Sequence, residues 1–238
     1  MSKSKNNNSK SEMWKLSLTL MVYTLIAGVL LALVYQYTQS RIAEAELGNV
    51  ISSMAFLLTD ENGNEIVPLD EVKKTVISKR SEMGKVLYED GVGSVLSPVY
   101  EFQTEDAKYY IVSGFAVGYG GNVVTMAAFK LDESVGELSL KAIKVLEYSQ
   151  ETPGLGAKIA EPFVQERFYP ISESGLKAGL KVDKDAGKQN LEPEEAKQEG
   201  VVKVSDVMTG ATITPRAVVN SLNTMYKFMR EKHLGGGQ

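Results

Sequence analysis

Residues 16–40 contain no charged side chain, and the run of twenty residues from Leu16 to Tyr35 is almost wholly apolar. A helix of that length spans roughly 30 Å, which is the thickness of the hydrocarbon core of a bilayer. The run is apolar on every side, so a buried core helix of a soluble domain is not expected. It is too long for the apolar core of a signal peptide, and residues 36–39 do not resemble a cleavage site. These features predict an uncleaved transmembrane helix over residues 16–37.

Charge is distributed unevenly on the two sides of this run. Residues 1–15 hold four lysines and one glutamate, a net charge of +3, and because the whole chain carries −4 the remainder carries −7. Short segments with an excess of positive charge tend to stay in the cytoplasm. We therefore expect a cytoplasmic N-terminus and a large extracytoplasmic domain. A mildly acidic domain of this kind is not expected to bind nucleic acid.

The chain lacks the residues that several kinds of metal and catalytic site require. The chain has no cysteine, so disulfides, cysteine-ligated zinc and cysteine-ligated iron–sulfur clusters are excluded. Its single histidine, His233, stands beside a Gly-rich tail, where an exposed position is expected. One histidine cannot build a histidine-rich zinc site, and no Gly-Lys-Ser/Thr phosphate loop is present. We expect no metal site and no complete catalytic site in this chain alone.

The chain beyond the membrane has the pattern of an α+β domain, in which an antiparallel sheet is flanked by helices. Residues 41–58 predict a helix that continues out of the membrane, and residues 69–81 predict a second helix. Residues 171–198 are rich in Gly, Lys, Glu and Asp and predict a surface excursion, after which residues 201–204 form a short returning strand. Four further strands are predicted between turn-forming residues, at Val95–Phe102, Tyr109–Val117, Asn122–Leu131 and Leu138–Tyr148.

A cluster of small residues near the C-terminus, Thr209-Gly210-Ala211-Thr212, leads into a predicted helix. Thr214 suits the N-cap of this helix and Pro215 suits its first position. The first turn of a helix offers unpaired N–H groups and the positive end of the helix dipole, so a phosphate on or near Thr212 would be stabilised. The small side chains of the cluster let a bulky ligand approach the backbone. A helix-capping turn without a ligand is the alternative.

Two further loops carry glycine at turn positions. Glu151-Thr152-Pro153-Gly154-Leu155-Gly156 contains a Pro-Gly turn followed by a second glycine. Such a loop can present N–H groups and the apolar side chain of Leu155 to a flat aromatic ligand, although a plain strand-to-helix connection is the alternative. Gly118-Tyr119-Gly120-Gly121 joins two predicted strands. Its Tyr119 would either stack on an aromatic ring or serve as a structural aromatic beside the turn.

In this order the three loops resemble those of the FMN-binding domain. That domain occurs in the RnfG subunit of Rnf ion-translocating oxidoreductases and in the subunit named C of sodium-translocating NADH:quinone reductases. Asp206-x-x-Thr209-Gly210-Ala211-Thr212-x-Thr214 is similar to the family's flavinylation motif, which often begins the tetrad with Ser where this chain has Thr. The resemblance covers the apolar anchor and residues 95–234, while residues 41–90 and 171–198 carry no family signal. Residues 158–162 (Lys-Ile-Ala-Glu-Pro) and the compact length favour the Rnf subunit.

The resemblance implies FMN as the cofactor, held covalently by a phosphoester to Thr212. Further contacts to the cofactor are implied at Thr209, Gly210, Ala211 and Thr214 on the phosphate side, and at Glu151, Thr152, Gly154, Leu155 and Gly156 on the ring side. Lys158 and Arg216 are candidate charge partners for the phosphate or the ring, and a solvated surface role is the alternative for each. The flavin ring exchanges electrons one or two at a time, and this chemistry belongs to the cofactor.

The resemblance further implies a single-pass cell-membrane protein that transfers electrons in a redox-driven, ion-translocating complex linking reduced ferredoxin and NAD. Its partners would be the other membrane subunits of that complex and, during maturation, a flavin transferase that uses FAD. Three alternatives remain open. They are the corresponding subunit of the sodium-translocating quinone reductase, a non-redox sensor or binding module with the same fold, and a stand-alone flavinylated reductase.

These patterns divide the chain into four expected parts. Residues 1–15 form the cytoplasmic basic tail and residues 16–37 the transmembrane helix. Residues 38–94 form a helical connector, and residues 95–234 form the FMN-binding domain.

Overall fold

The structure, a computed structural model, describes residues 4–235. The chain forms two compact units, Met1–Asn49 and Val50–Gln238. The first unit belongs to one continuous helix, α1 (Ser4–Leu57), and the side chains of residues 12–37 on it are exposed. Within the described residues, α1 is the one helix that is long and apolar enough to cross a membrane. The predicted apolar helix therefore exists, and the helix predicted to follow it is its direct continuation.

The second unit starts with the last turns of α1, where Met54 and Leu57 are fully buried. The helix α2 (Leu69–Ser78) and a 3-10 turn (Arg80–Glu82) follow. The next element, β1 (Val86–Glu89), is a strand that the sequence did not predict.

A boundary between connector and domain at residue 95 would cut through the sheet, because β1 pairs with β2 (Ser94–Gln103). The side chains of β1 are mostly exposed. The strand therefore lacks the alternation of buried and exposed side chains by which a strand is recognised in a sequence.

A five-stranded antiparallel sheet in the order β1-β2-β3-β4-β5 forms the centre of the second unit. After β2 come β3 (Lys108–Val117), β4 (Asn122–Asp132) and β5 (Glu137–Glu147). Successive strands are neighbours because short turns join them. The four strands predicted from sequence are all present, and no end is shifted by more than one residue. The middle parts of β3 and β4 are buried almost continuously, as expected for strands that are covered on both faces.

Short elements connect β5 to the last helix. They are a 3-10 turn (Gly156–Ala160), α3 (Pro162–Gln165), a second 3-10 turn (Glu166–Phe168), α4 (Glu173–Lys177), β6 (Lys181–Val182), α5 (Asp183–Ala186), α6 (Pro193–Gln198) and β7 (Val201–Val202). β6 and β7 pair in parallel. Residues 171–198 are thus not a surface excursion, because Leu176, Leu180 and Val182 are buried in the core. The many charged residues between them hide this apolar pattern in the sequence.

The last helix, α7 (Ile213–Phe228), packs against β2, β3 and β4. Gly114 on β3 permits this close approach. A Cβ atom there would lie 3.1 Å from Met225 Cγ and 2.6 Å from the carbonyl oxygen of Ser94. The predicted α+β fold, an antiparallel sheet flanked by helices, is confirmed.

A turn of π-helix, Met229–His233, extends α7 at its C-terminal end. Here Nε2 of His233 lies 2.9 Å from Oε1 of Glu101, and its ring meets the edge of the Tyr110 ring at a centroid distance of 5.5 Å. His233 is therefore half-buried rather than exposed, because the helix turns its last residues onto the sheet.

Candidate functional site

The first turn of α7 begins at Ile213, two residues earlier than predicted, and Thr212 occupies the N-cap position. The N–H of Arg216 donates to the carbonyl oxygen of Thr212 at 3.4 Å. Pro215 lies inside the first turn, where its missing N–H removes no helical hydrogen bond. Thr214 therefore lies inside the helix and does not cap it. Its hydroxyl donates to the carboxylate of Glu151 instead.

The buried carboxylate of Glu151, a residue only 4% exposed, joins the 151–156 loop to the 118–121 loop and to the first turn of α7. Oε1 accepts hydrogen bonds from the N–H groups of Tyr119 at 2.8 Å and Gly120 at 3.3 Å. Oε2 accepts a hydrogen bond from the hydroxyl of Thr214. A buried carboxylate is costly unless hydrogen bonds compensate it, and here three donors do so, two from the 118–121 loop and one from α7. Both oxygens of Glu151 therefore serve contacts within the protein.

Two glycines are required by the space around this carboxylate. A Cβ atom on Gly118 would lie 2.3 Å from Oε1 of Glu151. A Cβ atom on Gly156 would lie 2.6 Å from Oε2 of Glu151 and 2.7 Å from Oγ1 of Thr214. Gly154 is different, because open space surrounds it and its φ of +74° is the feature that favours glycine. Sequence reasoning named both these glycines and Glu151, but it did not foresee the hydrogen bonds of this carboxylate to Tyr119, Gly120 and Thr214.

The tip of the 151–156 loop lies against the small-residue cluster. A Cβ atom on Gly210 would lie 3.8 Å from Cδ2 of Leu155. The carbonyl oxygen of Thr152 accepts the N–H groups of Leu155 and Ala157, each at 3.1 Å, and this folds the loop into a tight turn. The structure thus brings together the residues that the sequence assigned separately to a ring side and a phosphate side.

The three threonine hydroxyls of the C-terminal motif differ in their hydrogen bonds. Thr214 is buried and donates to Glu151. Thr209 is exposed and donates to the carbonyl oxygen of Ser205 at 3.4 Å, a long and weak contact. Thr212 is half-buried, and its hydroxyl has no hydrogen-bond partner among residues 4–235. The motif therefore presents one uncommitted hydroxyl.

A narrow cleft beside Thr212 is built largely from a part of the chain that sequence reasoning did not connect with the site. Its free volume is about 10 Å³, far less than an aromatic ring system needs. Asp183 and Lys184 of α5 line it. The remaining lining residues are Val182, Val204, Ser205, Met208, Ala211 and Pro215. No signal in the sequence distinguished α5, because its Asp-Lys-Asp-Ala stretch resembles the charged residues around it.

Charged side chains near the cleft are mostly paired. Arg216 forms a bidentate ion pair with the carboxylate of Asp185 on α5. The Arg216 guanidinium holds the pKa of Asp185 below its usual value of 3.8, and the same hydrogen bond raises the pKa of Arg216. Asp206, at the start of the motif, pairs with Arg167 at 3.2 Å. Within the described part of the chain, neither Lys158 nor Lys184 has an ion-pair partner.

The residues at this site fit the two ends of a flavin nucleotide. A phosphate would meet the N–H groups at the start of α7 and the free ammonium group of Lys184. Apolar side chains that a flavin ring could contact are exposed in the same three loops or next to them. They are Val117, Tyr119, Leu155 and Ile213, each between 42% and 72% exposed.

Comparison with known families gives two matches along the chain. The model of the FMN-binding domain matches residues 118–227, a range that includes all three loops. The model of the RnfG N-terminal region matches residues 1–54, which lie within or just before α1.

Individual relatives match nearly the whole chain. The subunit named G of the ion-translocating oxidoreductase complex of Methanosarcina acetivorans is 26% identical over 226 residues, covering 93% of this chain and 97% of that protein. The subunit of the same name from Aliivibrio fischeri is 28% identical over 232 residues, covering 92% and 90%. The crystal structure of an RnfG subunit from Thermotoga maritima is 41% identical, covers 76% of this chain and 96% of that chain, and superimposes with a TM-score of 0.63.

Proposed function

The chain belongs to the RnfG family, the FMN-binding subunits of the Rnf ion-translocating oxidoreductase complex, and we propose that it carries its FMN as a phosphoester on Thr212. The long apolar helix α1 is consistent with membrane anchoring of such a subunit. When bound, FMN supplies one- and two-electron transfer. The protein's part is to fix the position of the cofactor and to shape its surroundings.

The free hydroxyl of Thr212 carries this proposal. A hydroxyl already donating to a buried carboxylate, as at Thr214, would have to give up that bond before it could react, and the bond joins the loops of the site. Thr209 lies three residues before the N-cap of α7, so a phosphate on it would not be at the end of the helix. Thr212 alone combines an uncommitted hydroxyl with the N-terminal end of a sixteen-residue helix.

On the phosphate side, the main chain provides most of the contacts that we propose. In the first turn of α7, the helix leaves the N–H groups of Ile213 and Thr214 free for a group on Thr212. Gly210 and Ala211 have too little side chain to block that approach. We assign the nearby positive charge to Lys184 before Arg216, because Arg216 is paired with Asp185.

On the ring side, the cleft beside Thr212 is too small for the flavin ring, so the ring lies outside it. We place the ring against the turn formed by Thr152, Gly154, Leu155 and Gly156. Glu151 fixes this turn to the start of α7 through Thr214. The two ends of the cofactor would thereby be held at a constant separation.

The attachment needs a separate flavin transferase that uses FAD, since this chain has no nucleotide-processing motif. The hydroxyl oxygen of Thr212 forms a bond to the flavin-side phosphorus of FAD. The bond from that phosphorus to the bridging oxygen breaks, and AMP leaves with the electron pair. The hydroxyl proton is released in the same step.

In the complex, we propose that this subunit passes electrons between its flavin and redox centres in neighbouring membrane subunits, on the path between reduced ferredoxin and NAD that drives ion translocation. The Lys-rich N-terminus lies in the cytoplasm and residues from about 41 onward lie outside, as the charge bias across α1 favours. Flavin attachment then takes place on the outer side of the membrane.

The proposal is tested by producing the full chain together with a flavin transferase. The intact mass should rise by one FMN, and the denatured protein should keep its flavin fluorescence. Thr212→Ala should abolish both signals, and Thr212→Ser should retain part because a hydroxyl remains. Thr209→Ala is the matched control and should stay flavinylated. FMN found on a peptide containing Thr209 or Thr214 as the modified residue would overturn the assignment, and no covalent flavin at all would favour a non-redox module.

A further inference from the structure

Asp183 presents a buried carboxylate oxygen that no group in the described chain satisfies. The residue is 0% exposed, and its Oδ2 accepts hydrogen bonds from the hydroxyl of Ser205 and, at 3.4 Å, from its N–H. Its other oxygen, Oδ1, has no partner among residues 4–235. Leaving a buried acceptor unsatisfied usually costs about 1–3 kcal/mol, and more for a charged group. An unsatisfied buried oxygen of this kind is rare in folded proteins and often has a functional role.

The residues that carry the uncommitted donor and the unsatisfied acceptor line the same cleft. Asp183 and Thr212 both border it, and about 10 Å³ of free volume leaves room for a single water molecule at most. Ser205, the residue bound to Oδ2, lies at the start of the turn that leads into the motif, where the N–H of Met208 donates to the carbonyl oxygen of Val204 at 2.8 Å. Asp183 is thus held by one oxygen, while its other oxygen has no partner among the described residues, and Asp183 borders the same cleft as Thr212.

We propose that Asp183 is the general base for flavin attachment, orienting the hydroxyl of Thr212 through Oδ1, directly or through one water, and receiving its proton. The inference rests on the proposed attachment at Thr212 and adds to it a residue outside the motif. When the Thr212 oxygen bonds to the flavin-side phosphorus of FAD and AMP departs, the hydroxyl proton passes to Oδ1. The carboxyl group, now neutral, no longer repels the negative phosphoester beside it.

This role also explains how one threonine is chosen from three. Thr214 is already oriented by a carboxylate, Glu151, but is buried and unavailable. Thr209 is exposed and has only the carbonyl oxygen of Ser205 as a weak acceptor. Thr212 alone is both reachable and beside a carboxylate with a free lone pair.

The test compares flavin transfer to the full chain and to three variants in detergent, with purified transferase and FAD, by following AMP release and flavin fluorescence of the denatured protein. Asp183→Asn keeps the size of the side chain and an acceptor for Ser205. It should lower kcat by about 100-fold, the usual contribution of a positioned proton acceptor, with KM for the acceptor protein unchanged. Asp106→Asn makes the same substitution at an exposed aspartate in the turn between β2 and β3, outside the site, so it is the matched control and should transfer at the wild-type rate.

The Ser205→Ala variant shows whether Asp183 acts on the hydroxyl of Thr212 or only supports the loop through its hydrogen bond with Ser205. It removes the hydroxyl bonded to Asp183 and leaves the carboxylate, so kcat should stay within about threefold of the wild type if proton acceptance is what matters. If Asp183→Asn and Ser205→Ala instead both raise KM to a similar extent, Asp183 only supports the loop and the proposal is overturned. Transfer by a folded Asp183→Asn protein at the wild-type rate would overturn it as well.

A measurement on unmodified protein does not depend on how Asp183→Asn folds. With aspartate carboxyl carbons labelled with ¹³C, Thr212→Val should change the resonance of Asp183, and Thr209→Val should leave it in place. An unchanged Asp183 resonance in Thr212→Val would overturn the pairing. The peptide that carries FMN in the wild type decides separately whether Thr212 is the attachment site, so a failure of that assignment is recognised independently.

Discussion

Glu151 is the residue on which the geometry of the site depends most. Replacement by Gln can keep an oxygen toward the N–H groups of Tyr119 and Gly120 and an amino group toward the hydroxyl of Thr214, which is able to accept. We therefore expect Glu151→Gln to lower the free energy of unfolding by only about 1–2 kcal/mol, the loss of charge-assisted hydrogen bonds. Glu151→Ala leaves three donors without an acceptor and should cost about 3 kcal/mol or more. Urea denaturation of the full chain in detergent measures both.

Glu161→Gln serves as the control for this pair, because Glu161 is exposed and its side chain makes no hydrogen bond in the described structure. Its stability should equal that of the wild type. If Glu151→Ala were no less stable than Glu151→Gln, the three hydrogen bonds would contribute little, and the loops would be held by other contacts.

Asp185 gives the site a pH dependence with a definite sign. Its pKa is lowered in the folded protein by Arg216, so its contribution to stability is present above the unfolded pKa and is lost as the pH falls through the folded one. The pair is partly exposed, with side chains 44% and 33% accessible, and such pairs contribute about 0–1 kcal/mol. Asp185→Asn should therefore be slightly less stable than the wild type at pH 7. The difference should vanish well below pH 3.8, the usual value for Asp. A difference that persists in acid would assign the effect to packing rather than charge.

At the scale of elements, the 151–156 loop contains two glycines that should respond differently to the same substitution. Gly156→Ala places a Cβ atom within 2.7 Å of both Glu151 and Thr214, so the loop must move away from α7. We expect a loss of about 2–3 kcal/mol in the free energy of unfolding and poor flavin attachment. Gly154→Ala meets no atom and only strains the backbone at φ +74°, at about 1 kcal/mol.

Thermal unfolding and flavin fluorescence of the denatured protein, measured on both variants, check this prediction. Equal losses in the two variants would mean that the loop tolerates displacement from α7. A stronger effect on flavin attachment in Gly154→Ala would indicate that the left-handed turn itself contacts the cofactor.

The elements show which parts of the fold a sequence can predict. The strands β2 to β5 and the helix α7 were predictable because apolar side chains recur at the period of the element and Gly or Pro marks the turns. The strand β1 was not, because its exposed side chains give no period, and it is recognised as a strand only through its pairing with β2. The start of α7 was placed two residues late because the hydroxyl of Thr214 binds Glu151, a residue far away in the chain.

The residues of the candidate site likewise divide into those that local sequence predicts and those that only tertiary contacts bring together. Thr212, the small residues before it and the 151–156 loop are contiguous motifs, and a motif can be read from one stretch of sequence. The contribution of α5 cannot be read in this way, because Asp183 comes to line the same cleft as Thr212 only when residues 181–186 pack beside the motif. The partner of Glu151 likewise depends on tertiary contacts.

At the scale of the whole molecule, the orientation across the membrane can be tested with cysteines, because the natural chain has none. We expect Val135→Cys, at a side chain 65% exposed in the turn between β4 and β5, to react with a membrane-impermeant maleimide in intact spheroplasts. Ser2→Cys, in the basic tail, should react only after lysis. The chain without any introduced cysteine is the control and should remain unlabelled. Labelling of Ser2→Cys but not of Val135→Cys in spheroplasts would reverse the orientation.

The unequal hydroxyls of the C-terminal motif have a consequence for how the protein's history can be followed. In an unfolded chain Thr209, Thr212 and Thr214 are chemically alike, and only folding singles out one of them. If Thr212 carries the phosphoester that we propose, the bond survives later unfolding, and the flavin is then a lasting mark that a particular molecule once reached its native fold. In a denaturing gel, fluorescence per unit of protein would therefore count the chains that have matured, including those that have since come apart.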